Sequence, residues 1–320
     1  MEFRTGADRI RGINMSYGVN NMITHGKSQS LAVEFPFAKI LDYLVLTKPG
    51  LLLTVLMTCF TGYVLPVGAE ISQNLLHLIL GTTLTGAGAH TLNQWAERFQ
   101  DAQMQRTRSR PLPLGRLRSS EALSFGLQLS LAGLIYLAFF VNQLTFMLGL
   151  LTLFLYVGVY TPLKRRTALN TWIGAICGAL PPLMGWAAQQ GTLQMESLPI
   201  FAWLYFWQLP HFLAIGWYCR EDYRNAGFRM LSYRDIAGQR TSFQMQLHGV
   251  LLLLTSLLVW HFNQAGIFFL AGSVFLGLIF LLGIRKFQQS IAEDQARKVF
   301  IQSIIYLPMM MCILLMERLF

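Results

Sequence analysis

Residues 93–113 read NQWAERFQDAQMQRTRSRPLP and continue an apolar run that starts near residue 74. Two carboxylates and four arginines therefore sit where that run ends. Whether it is a membrane helix leaving the bilayer or part of a soluble core depends on the rest of the chain. Of the 320 residues 54% are hydrophobic and 12% charged, with a mean hydropathy of +0.45. A soluble domain carries roughly twice that charged fraction. Windows of about 20 predominantly apolar residues, enough to cross a hydrocarbon core of about 30 Å, recur from about residue 50 onward. They fall near 50–67, 74–94, 121–141, 144–162, 169–189, 197–219, 243–262, 265–284 and 299–317. The expectation is an all-α, polytopic membrane protein with nine transmembrane helices.

The basic residues support that count. With nine spans, 24 of the 25 lysines and arginines fall in the N-terminal segment or in the loops after spans 2, 4, 6 and 8. Only Arg318 lies on the other side. The positive-inside rule turns that face toward the cytoplasm, or toward the matrix in a mitochondrion. The net charge of +10 is thus mostly topology, and no nucleic-acid partner is expected. The loops of the opposite face are short and nearly uncharged, so chemistry is expected on the basic face. Residues 1–40 are polar and mixed, without the apolar core of a secretory signal, and read as a cytoplasmic segment preceding a domain at 41–320. Glu2 and Asp8 count against a mitochondrial presequence, which favours a bacterial inner membrane over a mitochondrial one. The four cysteines are scattered singly and read as spectators.

Asn93, Glu97 and Asp101 recur every four residues. Each such step turns a helix by about 400°, so the three share one face. An amide and two carboxylates are hard oxygen ligands of the kind that suit Mg²⁺, an ion commonly shared with substrate phosphates. Arg106, Arg108 and Arg110 follow, and guanidinium forks match phosphate oxygens. Together they suggest a metal-bound diphosphate; a helix end with solvated charges is the other reading, and spacing alone does not separate the two. Past span 4, YTPLKRRTALN (160–170) places Tyr160 and Lys164 four apart, as an interface anchor with a topogenic cluster or as a phosphate-facing pair. Span 6 holds Gln208 and His211 around Pro210, and intramembrane polar residues usually mark a site. Glu221 and Asp222 follow on the basic face. His90, one turn before Asn93, reads equally as a cavity-lining or a packing residue, and Lys48-Pro49 reads as a helix start, with a phosphate contact by Lys48 the other reading. GAGAH (86–90) and GAICGALPPLMG (174–185) supply small residues for close helix packing, with Pro181 and Pro182 bending span 5.

Three of these segments carry a resemblance. Residues 93–111 resemble the N-x-x-x-D/E-x-x-x-D-x-x-M-x-R-T-x-x-R-P signature of the protohaem IX farnesyltransferases, members of the UbiA-type intramembrane prenyltransferases. Residues 160–170 are similar to that family's Y-T-x-L-K-R segment. WQLPHF (207–212) and DYRNAGFRML (222–231) resemble its W-Q-x-P-H-F and D-Y-x-x-A-G-x-x-M-L segments. The resemblance implies a nine-helix bundle around a central cavity open toward the cytoplasmic side. It implies Mg²⁺-assisted transfer of a farnesyl group from farnesyl diphosphate to a vinyl group of haem b, giving haem O. That product serves terminal oxidases directly or by way of a haem A synthase.

Position by position, the resemblance makes Asn93, Glu97 and Asp101 the first metal and diphosphate motif, with Arg106 and Arg110 its arginines. Tyr160 and Lys164 match the Y-x-x-x-K element, His211 the histidine beside the haem substrate, and Asp222 the second acidic motif and a metal ligand. Three positions depart from the wider pattern: Glu97 stands where many relatives carry Asp, Ala226 follows Asp222 where other branches have a second Asp, and His90 replaces an Asn. A quinone-type prenyltransferase is the near rival, disfavoured by WQLPHF. A secondary transporter is disfavoured because its charges would sit near the bilayer midplane.

Overall fold

The computed structural model describes residues 36–66, 68–262 and 265–319. The segment expected at 1–40 lies, as far as residue 35, outside the described residues, as do Arg4, Arg9, Arg11 and Lys27. Among the described residues the chain is helical throughout, without strands.

Helix α1 (Pro36–Leu46) and α2 (Pro49–Val64) form a pair bent by 44°. The bend has a local cause. Pro49 disfavours helical geometry at the residue before it, and Lys48 takes a left-handed φ of 51°. Helix α3 (Gln73–Asp101) is capped by the Ser72 hydroxyl, which accepts from the Asn74 amide. After α4 (Ser119–Phe140), Asn142 caps α5 (Gln143–Leu163), its side chain accepting from the Thr145 amide at 2.8 Å. Within α5, residues Phe154–Tyr160 widen into a π-helix just before Pro162, which has no N–H to donate. There follow α6 (Asn170–Gln190), α7 (Leu198–Tyr218), the short α8 (Arg220–Asn225) and α9 (Leu231–Arg234), then α10 (Gln239–Phe262), α11 (Ile267–Ser290) and α12 (Glu293–Leu319).

The expected count of nine spans is not reached by length and apolarity. Among the described residues six helices are long and apolar enough to cross a membrane, or seven if the bent α1–α2 pair is one span. The long helices α3 and α6 fall outside that set. The reason is their buried content: α3 turns His90, Asn93, Gln94, Glu97 and Asp101 inward, and α6 buries Asn170, Thr171 and two prolines. Polar groups facing the bundle lower apolarity without exposing charge to lipid.

Helix α3 packs on α4, α2 on α6, and α7 on α6, α10 and α12, with α11 closing onto α10 and α12. Small residues set the closest approaches. A Cβ at Gly62 or Gly185 would strike the backbone carbonyl of Pro182 or Cys59, so α2 and α6 meet backbone to backbone. Gly88, in the small-residue run of α3, faces Ser130 and Gly126 of α4 in the same way. Pro181, Pro182 and Pro210 all lie inside helices that run past them. The loops after α3, α5, α7 and α11 meet at one end of the bundle. Asp222 accepts from the Gln105 amide at 3.2 Å, the Arg229 amide donates to the Lys164 carbonyl at 2.7 Å, and Arg220 pairs with Glu293 at 3.0 Å.

Candidate active site

A cavity of about 350 Å³ opens within the bundle at the end where those loops meet. Its mouth is charged because α3 ends there: Glu97 and Asp101 occupy its last turns, with Lys164 just past α5 and Arg106 and Arg110 in the loop after α3. Deeper in, Leu51 and Val55 of α2, Pro181 of α6, and Leu204, Trp207 and Phe212 of α7 give apolar walls. A space that is ionic at one end and greasy at the other suits an amphipathic substrate with a charged head.

The helical face predicted from the four-residue spacing is present and fully engaged. Lys164 Nζ lies 2.7 Å from Glu97 Oε1, and Arg110 Nη1 lies 2.7 Å from Asp101 Oδ2. Asn93 accepts from Lys48 Nζ at 2.8 Å and donates to the Thr161 hydroxyl at 3.0 Å. Both carboxylates are nearly sealed from solvent, with side chains 8% and 1% exposed. Buried charges are tolerated when paired. Burial works against the Lys164 ammonium, but Glu97, Tyr160 and Tyr156 outweigh it and raise its pKa above the ordinary value. For Arg106 burial is likewise outweighed, here by Tyr223, Cys219, Asp101 and Asp222, and its pKa is raised.

Asp101 Oδ1 is bare in this network: it is buried with neither a hydrogen bond nor an ion pair among the described residues, whereas Glu97 Oε1, which also lacks an aligned hydrogen bond, meets the Lys164 ammonium. A buried carboxylate oxygen left bare is a strong demand for a cation. Lys48 presents the converse case, a half-buried ammonium whose hydrogen bond goes to an amide and which forms no ion pair among the described residues.

Not every predicted residue reaches the cavity. Asn93, Glu97, Asp101, Arg106, Arg110, Tyr160, Lys164 and His211 all line it, whereas Asp222 does not. Asp222 instead caps the loop after α3 through the Gln105 amide, and its neighbour Tyr223 reaches the lining. The Tyr223 hydroxyl accepts from Arg106 Nη2 at 3.0 Å, and the Arg106 guanidinium lies 5.0 Å from its ring centroid. Gln208 lines the cavity with its amide donated to the Ala175 and Leu204 carbonyls.

Spacing did not single out Tyr156, Thr161, Tyr223 or Phe228. The π-helical turn stacks Tyr156 on Tyr160 at 5.6 Å, and Gly174 leaves room for the Tyr160 ring. Pro162 was the available signal for that turn. His90 turns out to be a strut: its Nδ1 donates to the Thr47 carbonyl at 2.9 Å, while Gln94 donates to the Val45 and Leu46 carbonyls. These bonds hold the α1–α2 break, and with it Lys48, against α3.

The residues present fit a divalent cation in one specific manner. No group of three or more His, Cys, Asp or Glu side chains converges among the described residues. An ion held by protein alone is therefore a poor match, whereas one shared with a substrate phosphate suits the bare Asp101 oxygen and the adjacent Glu97.

A helical membrane bundle with a one-ended ionic cavity is the architecture of an intramembrane enzyme for an amphipathic substrate. Residues 55–304 match the UbiA prenyltransferase family, and the chain belongs to that family. It is a multi-pass membrane protein. The protoheme IX farnesyltransferase of Solibacter usitatus is 42% identical over 287 residues, covering 87% of this chain and 98% of the relative. A solved digeranylgeranylglyceryl phosphate synthase shares the fold with a TM-score of 0.74 at 18% identity, over 88% of this chain and 99% of that one. A UbiA homologue from Archaeoglobus fulgidus bound to DMAPP and Mg²⁺ aligns with a TM-score of 0.63 at 15% identity, over 85% and 99% of the two chains.

Proposed function

We propose that this chain transfers a farnesyl group from farnesyl diphosphate to a vinyl group of haem b, giving haem O. The observation that carries the reading is the bare, buried Asp101 oxygen among Lys48, Arg106, Arg110 and Lys164 at the mouth of an apolar cavity. The near full-length likeness to a protoheme IX farnesyltransferase supports the choice of substrates.

In this reading the diphosphate lies at the mouth and the farnesyl chain follows the apolar walls. Asp101 and Glu97 would hold Mg²⁺, which when bound neutralises diphosphate charge and assists its departure. Arg106, Arg110, Lys48 and Lys164 stabilise the negative charge that grows on the diphosphate as the allylic C–O bond breaks. Asn93 fixes the Lys48 ammonium, and Tyr160 supports Lys164 from below its ring, 4.5 Å from Nζ. Asp222 and Tyr223 hold the loop that carries Arg106. The vinyl carbon bonds to the allylic carbon, and water then adds to the haem-side cation with loss of a proton, leaving the hydroxyethylfarnesyl group. Apolar walls keep water from capturing the allylic cation first. His211 orients the haem. The basic rim faces the cytoplasm of a bacterial inner membrane, or the matrix in a mitochondrion.

The test is haem extraction from membranes of a host that lacks its own synthase. Cells expressing the chain should contain a new haem of higher hydrophobicity. The Asp101→Ala variant should insert into the membrane and make none. No new haem from the wild-type chain would overturn the function, and near-normal haem O from the Asp101→Ala variant would overturn the metal site.

A further inference from the structure

His211 sits on α7 with its ring held on three sides. Trp207 stacks on it at 5.1 Å between centroids with a 22° tilt, and Phe300 and Phe212 lie at 5.0 and 5.5 Å. Its Nδ1 is 2.7 Å from the Ser303 hydroxyl oxygen on α12. That hydroxyl has a single proton, and it lies 2.6 Å from the Phe300 carbonyl oxygen, which can only accept. Ser303 therefore donates to Phe300 and accepts from His211, so the imidazole proton resides on Nδ1. In a neutral ring the other nitrogen is then bare. His211 lines the cavity, and its Nε2 makes no hydrogen bond among the described residues.

Ser303 is itself held on two sides. It is fully buried, and its carbonyl accepts from the Trp207 indole N–H at 3.0 Å. The hydroxyl, the stacking indole and the imidazole thus form one unit spanning α7 and α12. The tautomer decides what His211 can do. A carboxylate such as a haem propionate needs an N–H donor, which Nε2 lacks; a metal needs a lone pair, which Nε2 offers. We propose that Ser303 is a positioning residue that fixes His211 in the Nδ1–H tautomer, so that Nε2 coordinates the iron of the haem substrate. The proposal rests on the haem reading above. An imidazole that donates its second N–H becomes a better and better-oriented ligand, and loss of such a partner typically lowers metal affinity about 10–100-fold.

The experiment uses the full chain in detergent, loaded with haem b and read by absorption and by resonance Raman of the ferrous form. Wild type should give a histidine-ligated spectrum with an Fe–His stretch. His211→Gly should lose it and regain it on adding free imidazole. Ser303→Ala should bind haem about tenfold or more weakly, with the Fe–His stretch moved to lower frequency, and Ser303→Thr should restore both. An unchanged spectrum in His211→Gly, or an unshifted stretch in Ser303→Ala, overturns the proposal. If these results come with intact haem O formation, the functional reading stands. If the wild-type chain binds no haem at all, both fall together.

Discussion

Lys164 Nζ and Glu97 Oε1 form a 2.7 Å ion pair that ties the turn after α5 to the last turns of α3. The pair is largely buried, with side chains 13% and 8% exposed, so it bears on both stability and chemistry. Losing one partner strands the other, which costs about 3–5 kcal/mol for a buried pair. Lys164→Ala should therefore lower thermal stability in detergent, and the double variant Lys164→Ala with Glu97→Gln should recover much of that loss. The double variant should still fail to make haem O, because the cation is absent in both. Full recovery of activity with stability would make the pair purely structural. The pH dependence has a fixed sign. The Lys164 pKa is raised in the folded state, so its contribution is present at neutral pH and below, and fades only as pH rises through the raised value. The pair should thus survive mildly alkaline buffers, which a melting series against pH would check.

Arg110 satisfies one oxygen of Asp101 and leaves the other bare. Arg110→Ala removes the cation that, alone among the described residues, is bonded to a carboxylate 1% exposed. The folded protein should lose stability by about 3–5 kcal/mol. Mg²⁺ with inorganic diphosphate should raise the melting temperature of wild type, and that of Arg110→Ala by less, because Arg110 faces the diphosphate and ligand binding to the folded state is itself stabilisation. Asp101→Asn should show no such Mg²⁺ response. A Mg²⁺ shift equal in all three proteins would place the ion elsewhere.

How far these contacts are legible from sequence depends on their range. The Asn93–Glu97–Asp101 face follows from helix geometry alone, and the N-caps at Ser72 and Asn142 are equally local. Lys48 is harder. Its bond to Asn93 joins residues 45 apart and depends on a left-handed break that only the Lys-Pro pair foreshadows. The π-helical turn at Phe154–Tyr160 has the composition of any apolar span, so only Pro162 hints at it. Helices α3 and α6 fail an apolarity test because they are rich in the groups that build the site. The role of Asp222 depends on where a loop after another helix happens to pass, which no local pattern encodes.

Asp222 offers a direct discrimination between a metal ligand and a loop clasp. Its oxygen accepts from the Gln105 amide, and an asparagine oxygen can do the same. Asp222→Asn should therefore retain most of the activity, while Asp222→Ala should loosen the loop and lower turnover by about tenfold, a loss of roughly 1.4 kcal/mol in transition-state stabilisation. Tyr223→Phe should behave more mildly than Asp222→Ala, since the ring beneath Arg106 remains. An Asp222→Asn variant as inactive as Asp101→Asn would return Asp222 to the metal's coordination sphere.

The glycines of α2 and α6 separate packing from substrate fit. A methyl at Gly62 or Gly185 would meet a backbone carbonyl across the interface, and backbone in a packed helix cannot swing aside. The helices would have to part, so Gly62→Ala should destabilise at or beyond the upper end of about 1–3 kcal/mol for overpacking. Gly178 differs. The nearest group to its added methyl is the Gln208 amide oxygen, the far end of a flexible side chain. Rotating that amide breaks its bonds to the Ala175 and Leu204 carbonyls and moves it within the cavity lining. Gly178→Ala should thus destabilise less than Gly62→Ala yet raise the KM for one substrate, with kcat less affected. Melting curves alongside steady-state kinetics for both variants check this. A Gly178→Ala protein that melts as early as Gly62→Ala would mean Gln208 is as rigid as backbone.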